Sequence, residues 1–306
     1  MLRPRRFRFG VRTGTTSLWE WQEIARKSEA VGFDTLVAQD RFGKQFSPVP
    51  ALVAAGAVTV RLRLGTMVLD NDLRHPAALA KEAATVDVMT SGRLELGLGA
   101  GWPQSEYDRI GLALHAPSER LERLSESVQI CKLFFTCADE TFSFAGKHYR
   151  LEQLDASPRP TRKPRPPILL AGHQRSMLAL AGREADIVGI SLPERPVEGQ
   201  PTPTFAEKLE WVREAAGDRF GDLEIQVNAS HVDVTDDRQA AIDQMVLRTG
   251  QSPAEIQASP GTLVGSVESI VEQLHASRER YGVSYYVVHA RFMDAFAPIL
   301  ARVNGS

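Results

Sequence analysis

Apolar residues recur along this chain in short continuous runs, and most runs lead into a stretch with helical spacing. FRFGV (7–11) reads as a first strand. A helix then opens at Ser17, with Glu20 three residues on in the capping-box position, and closes at Gly32. DTLVA (34–38) is a second strand, ALVAAGAVTV (51–60) a helix, and RLRLGTMVL (61–69) a third strand. His75-Pro76 opens the next helix with proline in its first turn, and Leu79, Ala83 and Val86 share one face of it. RLELGLG (93–99) is the fourth strand, followed by a long helix around 117–135 and a less regular stretch to 166. PPILLAG (166–172), ADIVGI (185–190), LEIQVNAS (223–230) and SYYVVHA (284–290) supply strands five to eight. SMLALAGR is a helix between the fifth and sixth, and a helix over 266–281 ends near Gly282.

Eight strands alternating with helices, several of them apolar throughout, imply parallel strands covered on both faces. The α/β class is thus expected as a (β/α)8 barrel, which takes ~250 residues, and the remainder of the 306 sits in loops. The alternative is a doubly wound open sheet, which places its glycine-rich phosphate turn after the first strand. FRFGVRTGTTS lacks that fingerprint, so the barrel is preferred. The basic, proline-rich SPRPTRKPRPP (157–167) could be read as a PxxP ligand, but the preferred reading is an extended connection into the fifth strand, where proline is tolerated. The whole chain is read as a single domain, 1–306.

Composition narrows the function. A net charge of −2 gives no global electrostatic case for nucleic acid or an anionic membrane. The basic N-terminus has no apolar core of secretory-signal length, and ALVAAGAV (51–58) is far too short to span a bilayer. Cys131 and Cys137 are the only cysteines, without metal-ligand company, and read as free thiols of a reducing cytoplasm.

In such barrels the active site lies at the C-terminal ends of the strands. Those ends supply Val11-Arg12, Asp40-Arg41, Val68 to Asp70, Gly99 to Trp102, Gly172-His173, Ser191, Ser230-His231 and His289 to Arg291. GLGAGW (97–102) has two glycines of a dinucleotide fingerprint but Trp102 in place of the third. It is either a ligand-approaching turn or a tight turn that needs glycine for its own sake. AGHQRSM (171–177) runs from strand to helix and could hold a phosphate on free helix amides, with Arg175 nearby, or could be a plain turn. LGTMVLDNDLRHP groups Asp70, Asn71, Asp72, Arg74 and His75 in one loop, where a lone histidine before a helix is usually structural. No lysine ends a strand, no His-x-His follows the first strand, and no G-x-S-x-G elbow occurs. These absences count against Schiff-base, metal-hydrolase and serine-hydrolase chemistry; no metal site is expected. A glycine-lined site poor in acid–base groups is what remains, the profile expected where a cofactor carries the chemistry.

Across nearly its whole length the chain resembles the bacterial-luciferase-like superfamily of flavin and deazaflavin oxidoreductases. The resemblance is carried by FRFGV, EAVGFDTLVAQD, LRLGTMVLDNDLRHPAALAKEAATVDVMTSGRLELGLGAGWPQSEY, ILLAG…ADIVGI and LVGSVESIVEQL…GVSYYVV. Within it the chain is most similar to the branch using coenzyme F420, a hydride-carrying 5-deazaflavin. The resemblance implies a (β/α)8 barrel with an insertion after the fourth strand. It also implies a bulge at Met67-Val68, commonly with a non-prolyl cis peptide, beneath the cofactor ring. Asp40 matches the position beside the ring. Ala100, Gly101 and Trp102 match the turn that contacts the cofactor, and Gly172, His173 and Gln174 the turn that holds its phosphate. The strand-end residues Val11, Asp70 and Gly99 complete the candidate cofactor-binding set, and Asp40 and Arg41 are the candidate catalytic residues. Two departures stand out. Arg41 replaces a histidine that acts as base in the sugar-phosphate dehydrogenases of the family, and Trp102 replaces an acidic residue. The expected activity is F420-dependent hydride transfer to or from a small organic substrate, in a cytoplasmic homodimer. The alternatives are an FMN-dependent monooxygenase using reduced flavin and O2, and a catalytically silent cofactor-binding barrel.

Overall fold

In the computed structural model, residues 2–3, 5–101, 103–192 and 203–303 are described. The strands are β1 (Arg8–Arg12), β2 (Thr35–Ala38), β3 (Arg63–Thr66), β4 (Leu69–Asp70), β5 (Leu94–Gly99), β6 (Thr141–Ala145), β7 (Arg150–Asp155), β8 (Ile168–Gly172), β9 (Ile187–Ile190), β10 (Glu224–Asn228), β11 (His231–Val234), β12 (Thr262–Gly265) and β13 (Val283–His289). The helices are α1 (Leu18–Val31), α2 (Pro48–Gly56), α3 (Pro76–Met89), α4 (Gln104–Ile110), α5 (Pro117–Thr136), α6 (Arg175–Glu184), α7 (Phe205–Ala216), α8 (Arg238–Thr249), α9 (Pro253–Ala258), α10 (Val267–Tyr281) and α11 (Met293–Val303).

One sheet runs in the order β3-β2-β1-β13-β10-β9-β8-β5-β4, and β3 also pairs with β5, which closes it. β3 and β4 are two pieces of the third barrel strand, so the closed sheet is an eight-stranded parallel (β/α)8 barrel, as expected. Each of the eight strands read from apolar runs is present. Among the described residues, no helix is long and apolar enough to cross a membrane.

The residues fall into two compact units, Met1–Arg12 with Ala30–Thr35 and Gly172–Ser306, and Thr13–Glu29 with Leu36–Ala171. In the first, β1 pairs in parallel with β13 (Phe9 beside Tyr286, Val11 beside Val288), and β13 with β10. Phe9 and Phe33 both pack on Phe296 of α11, with ring centroids 5.4 and 6.3 Å apart. At the strand N-termini Arg8 donates to Glu224 at 2.6 Å and lies over the Tyr285 ring, a nearly buried pair on the face of the barrel that serves stability.

The second unit has the corresponding Arg63–Glu95 pair between β3 and β5. Arg93 ties α2 to the start of β5, donating to the Gly56, Leu62 and Thr90 carbonyls and to the Thr59 hydroxyl. Helix α1 uses half of the capping box read from its sequence. The Glu20 amide donates to Ser17 Oγ at 3.3 Å, while the Glu20 carboxylate turns to the Thr15 hydroxyl instead of capping back. Between β5 and β8 lie α4, then α5, which is the long helix read over 117–135, and the antiparallel β6–β7 hairpin, where the sequence suggested only a less regular stretch. The Glu126 carboxylate on α5 organises the hairpin turn by accepting from the amides of Lys147, His148 and Tyr149. The SPRPTRKPRPP segment is the extended connection into β8, and its Arg162 amide donates to the Asp87 carboxylate of α3 at 2.9 Å. The small parallel β11–β12 pair and helices α4, α7, α8, α9 and α11 were not anticipated.

Candidate functional site

The third barrel strand stops at Thr66, contains a cis peptide at Met67-Val68, and resumes at Leu69. Its neighbour β5 is built to receive this break. A Cβ on Gly97 would lie 1.9 Å from the Thr66 carbonyl oxygen, and one on Gly99 would lie 2.7 Å from Val68 Cγ2. The Thr66 hydroxyl donates to the Gly97 carbonyl and accepts from the Gly97 amide, both at 2.8 Å, in place of ladder bonds the break interrupts. The space left by the absent side chains of Gly97 and Gly99 is therefore filled by the third strand.

A row of carboxylates stands beside the break. Asp40 follows β2, and its oxygens accept from the Arg74 guanidinium at 2.5 and 3.3 Å and from the Asp70 amide at 3.1 Å. Both side chains of that ion pair are largely buried, at 9% and 17% exposed. Asp70, at the end of β4, accepts from the Tyr107 hydroxyl on both oxygens, at 2.8 and 2.7 Å, and from the Asp72 amide. Burial raises the Asp70 carboxyl above the usual carboxylate range, against the lowering effect of those bonds. Tyr107 is itself buried, and burial together with the neighbouring Asp70 pushes its phenol well above 10. Arg123 of α5 pairs with Asp72 at 3.2 Å. Arg41 is half exposed and reaches Glu106 of α4 at 3.5 Å. His75 caps α3, its Nδ1 accepting from the Ala77 amide at 3.3 Å, as the structural reading of that residue expects.

The turn after β5 is clamped from outside. Gly101 has φ +81°, and a Cβ there would lie 2.1 Å from the Tyr107 hydroxyl, so both conformation and space require glycine. Arg120 of α5 donates to the carbonyls of Ala100 and Gly101 at 2.7 and 2.5 Å. Trp102, the remaining residue predicted in this turn, lies outside the described residues. Asp40, Arg41, Met67, Val68, Asp70, Gly99, Ala100 and Gly101 thus all belong to one unit, around the ends of β2, β4 and β5.

The other predicted residues belong to the first unit. Val11 is fully buried in β1. Arg12 donates to Asn228 at 3.0 Å, and its register partner His289 accepts on Nδ1 from the Arg291 amide. Gly172 ends β8, and His173 and Gln174 lead into α6, whose N-cap Gln174 makes no side-chain cap bond. The two side chains face each other across 3.1 Å. Partial desolvation, and then the charge of Lys208, lower the His173 imidazole below its ordinary value.

Two features of the protein suit a flavin-type cofactor. The first turn of α6 presents amides without a side-chain cap beside a buried lysine, which suits a phosphate. Asn71, directly after β4, is buried with neither side-chain polar atom bonded among the described residues, which suits a polar ring edge. Among the described residues, no cluster of three or more histidine, cysteine or acidic side chains is placed to hold a metal. An open cavity of about 370 Å³ is lined by Ala77, Lys81, Phe134 and Asp155 and contains none of the predicted site residues.

Sequence reasoning missed Tyr107, Arg120, Thr66 and Lys208. It named Arg74 only as part of a loop. For Lys208 a signal was present, a lysine on the apolar stripe formed by Phe205, Leu209, Val212 and Ala216. For Tyr107 and Arg120 no local signal exists, because their partners are set by the turn's three-dimensional path.

The family model for luciferase-like monooxygenases matches residues 4–259. An F420-dependent glucose-6-phosphate dehydrogenase of Nakamurella multipartita is 32% identical over 231 residues, 72% of this chain and 66% of that protein. An FMNH2-dependent dimethylsulfone monooxygenase of Pseudomonas putida is 30% identical over 171 residues, 54% of this chain and 46% of that protein. The chain thus spans from about half to just under two thirds of the length of these curated relatives. Its fold is similar to that of a coenzyme F420-dependent tetrahydromethanopterin reductase of Methanopyrus kandleri, with a TM-score of 0.77 at 16% identity, covering 98% of each chain. With five-sixths of its length matched by the family model, this chain belongs to the luciferase-like monooxygenase family.

Proposed function

We propose that this chain is an F420-dependent oxidoreductase that moves hydride between the deazaflavin and a small organic substrate. The observation that carries the reading is the third-strand break at Met67-Val68, seated on Gly97 and Gly99 and bordered by the Asp40–Arg74 pair. This is the platform on which the family sets its cofactor ring. The deazaflavin is favoured over FMN because the F420-dependent relative aligns over 72% of the chain and the FMNH2-dependent one over 54%.

Coenzyme F420, when bound, supplies or accepts the hydride. The residues of this chain hold and orient. Val68 and Met67 buttress the ring from the strand break. The Asp40 carboxylate, fixed by Arg74 and the Asp70 amide, presents an oriented acceptor at the end of β2. The Ala100–Gly101 turn has its carbonyls drawn toward Arg120, which fixes the peptide planes that line the ring. The uncapped amides of α6 after Gly172, His173 and Gln174 take the phosphate. Arg41, loosely held by Glu106, has no basic lone pair to offer at neutral pH, so it can polarise a substrate oxygen but cannot abstract a proton. Sugar-phosphate oxidation with a histidine base in that position is therefore not proposed. A flavin monooxygenase is the second reading, favoured by the P. putida relative.

Anaerobic mixing of the protein with reduced F420 and a panel of enones, aldehydes and ketones tests the proposal. Oxidation of the deazaflavin coupled to substrate reduction is expected. Turnover found only with reduced FMN and O2 would establish the second reading instead.

A further inference from the structure

Lys208 occupies a position where a charged side chain is costly. It lies on α7 in the stripe with Phe205, Leu209 and Val212, and it is 2% exposed. A lysine is almost never this buried unless paired. Yet among the described residues it has no carboxylate partner, and its Nζ donates to one backbone oxygen, that of Ser191, at 2.8 Å. Ser191 follows the C-terminal end of β9, and its amide donates in turn to the Gly172 carbonyl at 2.9 Å. The lysine therefore ties the end of β9, through Ser191, to the first residue of the turn that leads into α6. That helix starts without a side-chain cap. A buried ammonium with no counter-charge among the described residues and helix amides without a side-chain cap meet at one turn, and both are answered by the same thing, an anion. The lysine is also close enough for its charge to depress the His173 imidazole, after the larger effect of partial desolvation.

We propose that Lys208 is the fixed positive charge that makes the Gly172–Gln174 turn selective for a phosphorylated cofactor, discriminating against the same ring system without phosphate. This rests on the cofactor reading above. It also accounts for how a turn of sequence AGHQ could hold a phosphate with few glycines: the charge sits behind the turn instead of the backbone wrapping around the ligand. Lys208 is a positioning residue, acting through the potential at the turn and through Ser191.

The test measures dissociation constants for two matched pairs, F420 with its phosphate-free deazaflavin riboside and FMN with riboflavin. The proteins are the wild type, Lys208→Met and Lys208→Arg. The wild type should prefer the phosphorylated member of the pair whose ring it binds. Lys208→Met should shrink that preference roughly tenfold, corresponding to the loss of one favourable charge interaction, while binding of the phosphate-free member is unchanged. Lys208→Arg should restore most of the preference. In the cofactor-free protein, the His173 imidazole of Lys208→Met should titrate at higher pH than in wild type by NMR. A purely structural lysine would weaken both members of a pair together, and that result overturns the inference, as does a His173 titration that does not move. Failure of the wild type to bind any of the four compounds overturns the cofactor reading as well. Binding with an unaltered preference in Lys208→Met overturns only the role of the lysine.

Discussion

Gly97→Ala places one methyl group against the backbone of the strand break, and its effect can be worked from the structure. The new Cβ would start 1.9 Å from the Thr66 carbonyl oxygen and 3.3 Å from Val68 Cγ1. The carbonyl belongs to the main chain of β3 and is flanked by the buried Thr66 side chain, which holds Gly97 from both sides. To make a tolerable contact, β3 and β5 have to part by about an ångström in a close-packed interior, where overpacking costs about 1–3 kcal/mol. The backbone identity of the clashing atom puts the expected loss near the upper end, about 3 kcal/mol. At roughly 2–4 °C per kcal/mol for a chain of this size, the melting temperature should fall by about 6–12 °C. Gly99→Ala is the internal control. Its nearest neighbour is a side-chain methyl of Val68 at 2.7 Å, which can shift, so the loss should be about 1 kcal/mol. Thermal and urea melts of the two variants measure the difference. Equal stability of Gly97→Ala and wild type would refute the argument that these glycines exist to seat the third strand.

Three further outcomes follow from the same geometry. Arg74→Met leaves the largely buried Asp40 carboxylate with only the Asp70 amide, and should cost about 2–3 kcal/mol in urea melts; an unchanged midpoint would show that the pair contributes nothing. Because burial raises the Asp70 carboxyl in the folded state, its contribution to stability is present in full below the unfolded carboxylate value of ~3.9 and is lost as pH rises through the folded value. Asp70→Asn should therefore gain stability relative to wild type between acidic and neutral pH, and denaturation at several pH values would expose a contrary slope. Glu126→Ala strips one acceptor from three amides of the hairpin turn and should cost about 1–2 kcal/mol, read as faster hydrogen exchange confined to 141–155.

The barrel was legible because its strands are buried on both faces and so read as apolar runs; FRFGV, ILLAG and ADIVGI each coincide with an observed strand. Helix ends marked by punctuation residues were equally readable, as at Pro76 for α3 and Gly282 for α10. The β6–β7 hairpin was not, because TFSFA and RLEQLD are half exposed and their pairing is organised by Glu126 from a distant helix. The break in the third strand left no mark in the hydrophobic pattern, since RLRLGTMVL reads as one continuous run. It came only from the family resemblance. GLGAGW shows the limit most clearly. Its glycines were readable as places of close approach, but Gly97 and Gly99 are approached by the neighbouring strand and Gly101 by Tyr107 and Asp70. Arg120 and Tyr107, which hold that turn, act across long sequence separations that no local pattern reports.

The central claim is that the strand break and its carboxylates form a seat for a deazaflavin. Equilibrium titration of the purified 306-residue protein with F420 and FMN, each oxidised and reduced, tests it directly through the fluorescence or absorbance of the bound ring. Saturable micromolar binding of F420 with much weaker FMN binding is the predicted result. Micromolar binding of FMN with none of F420 would contradict it.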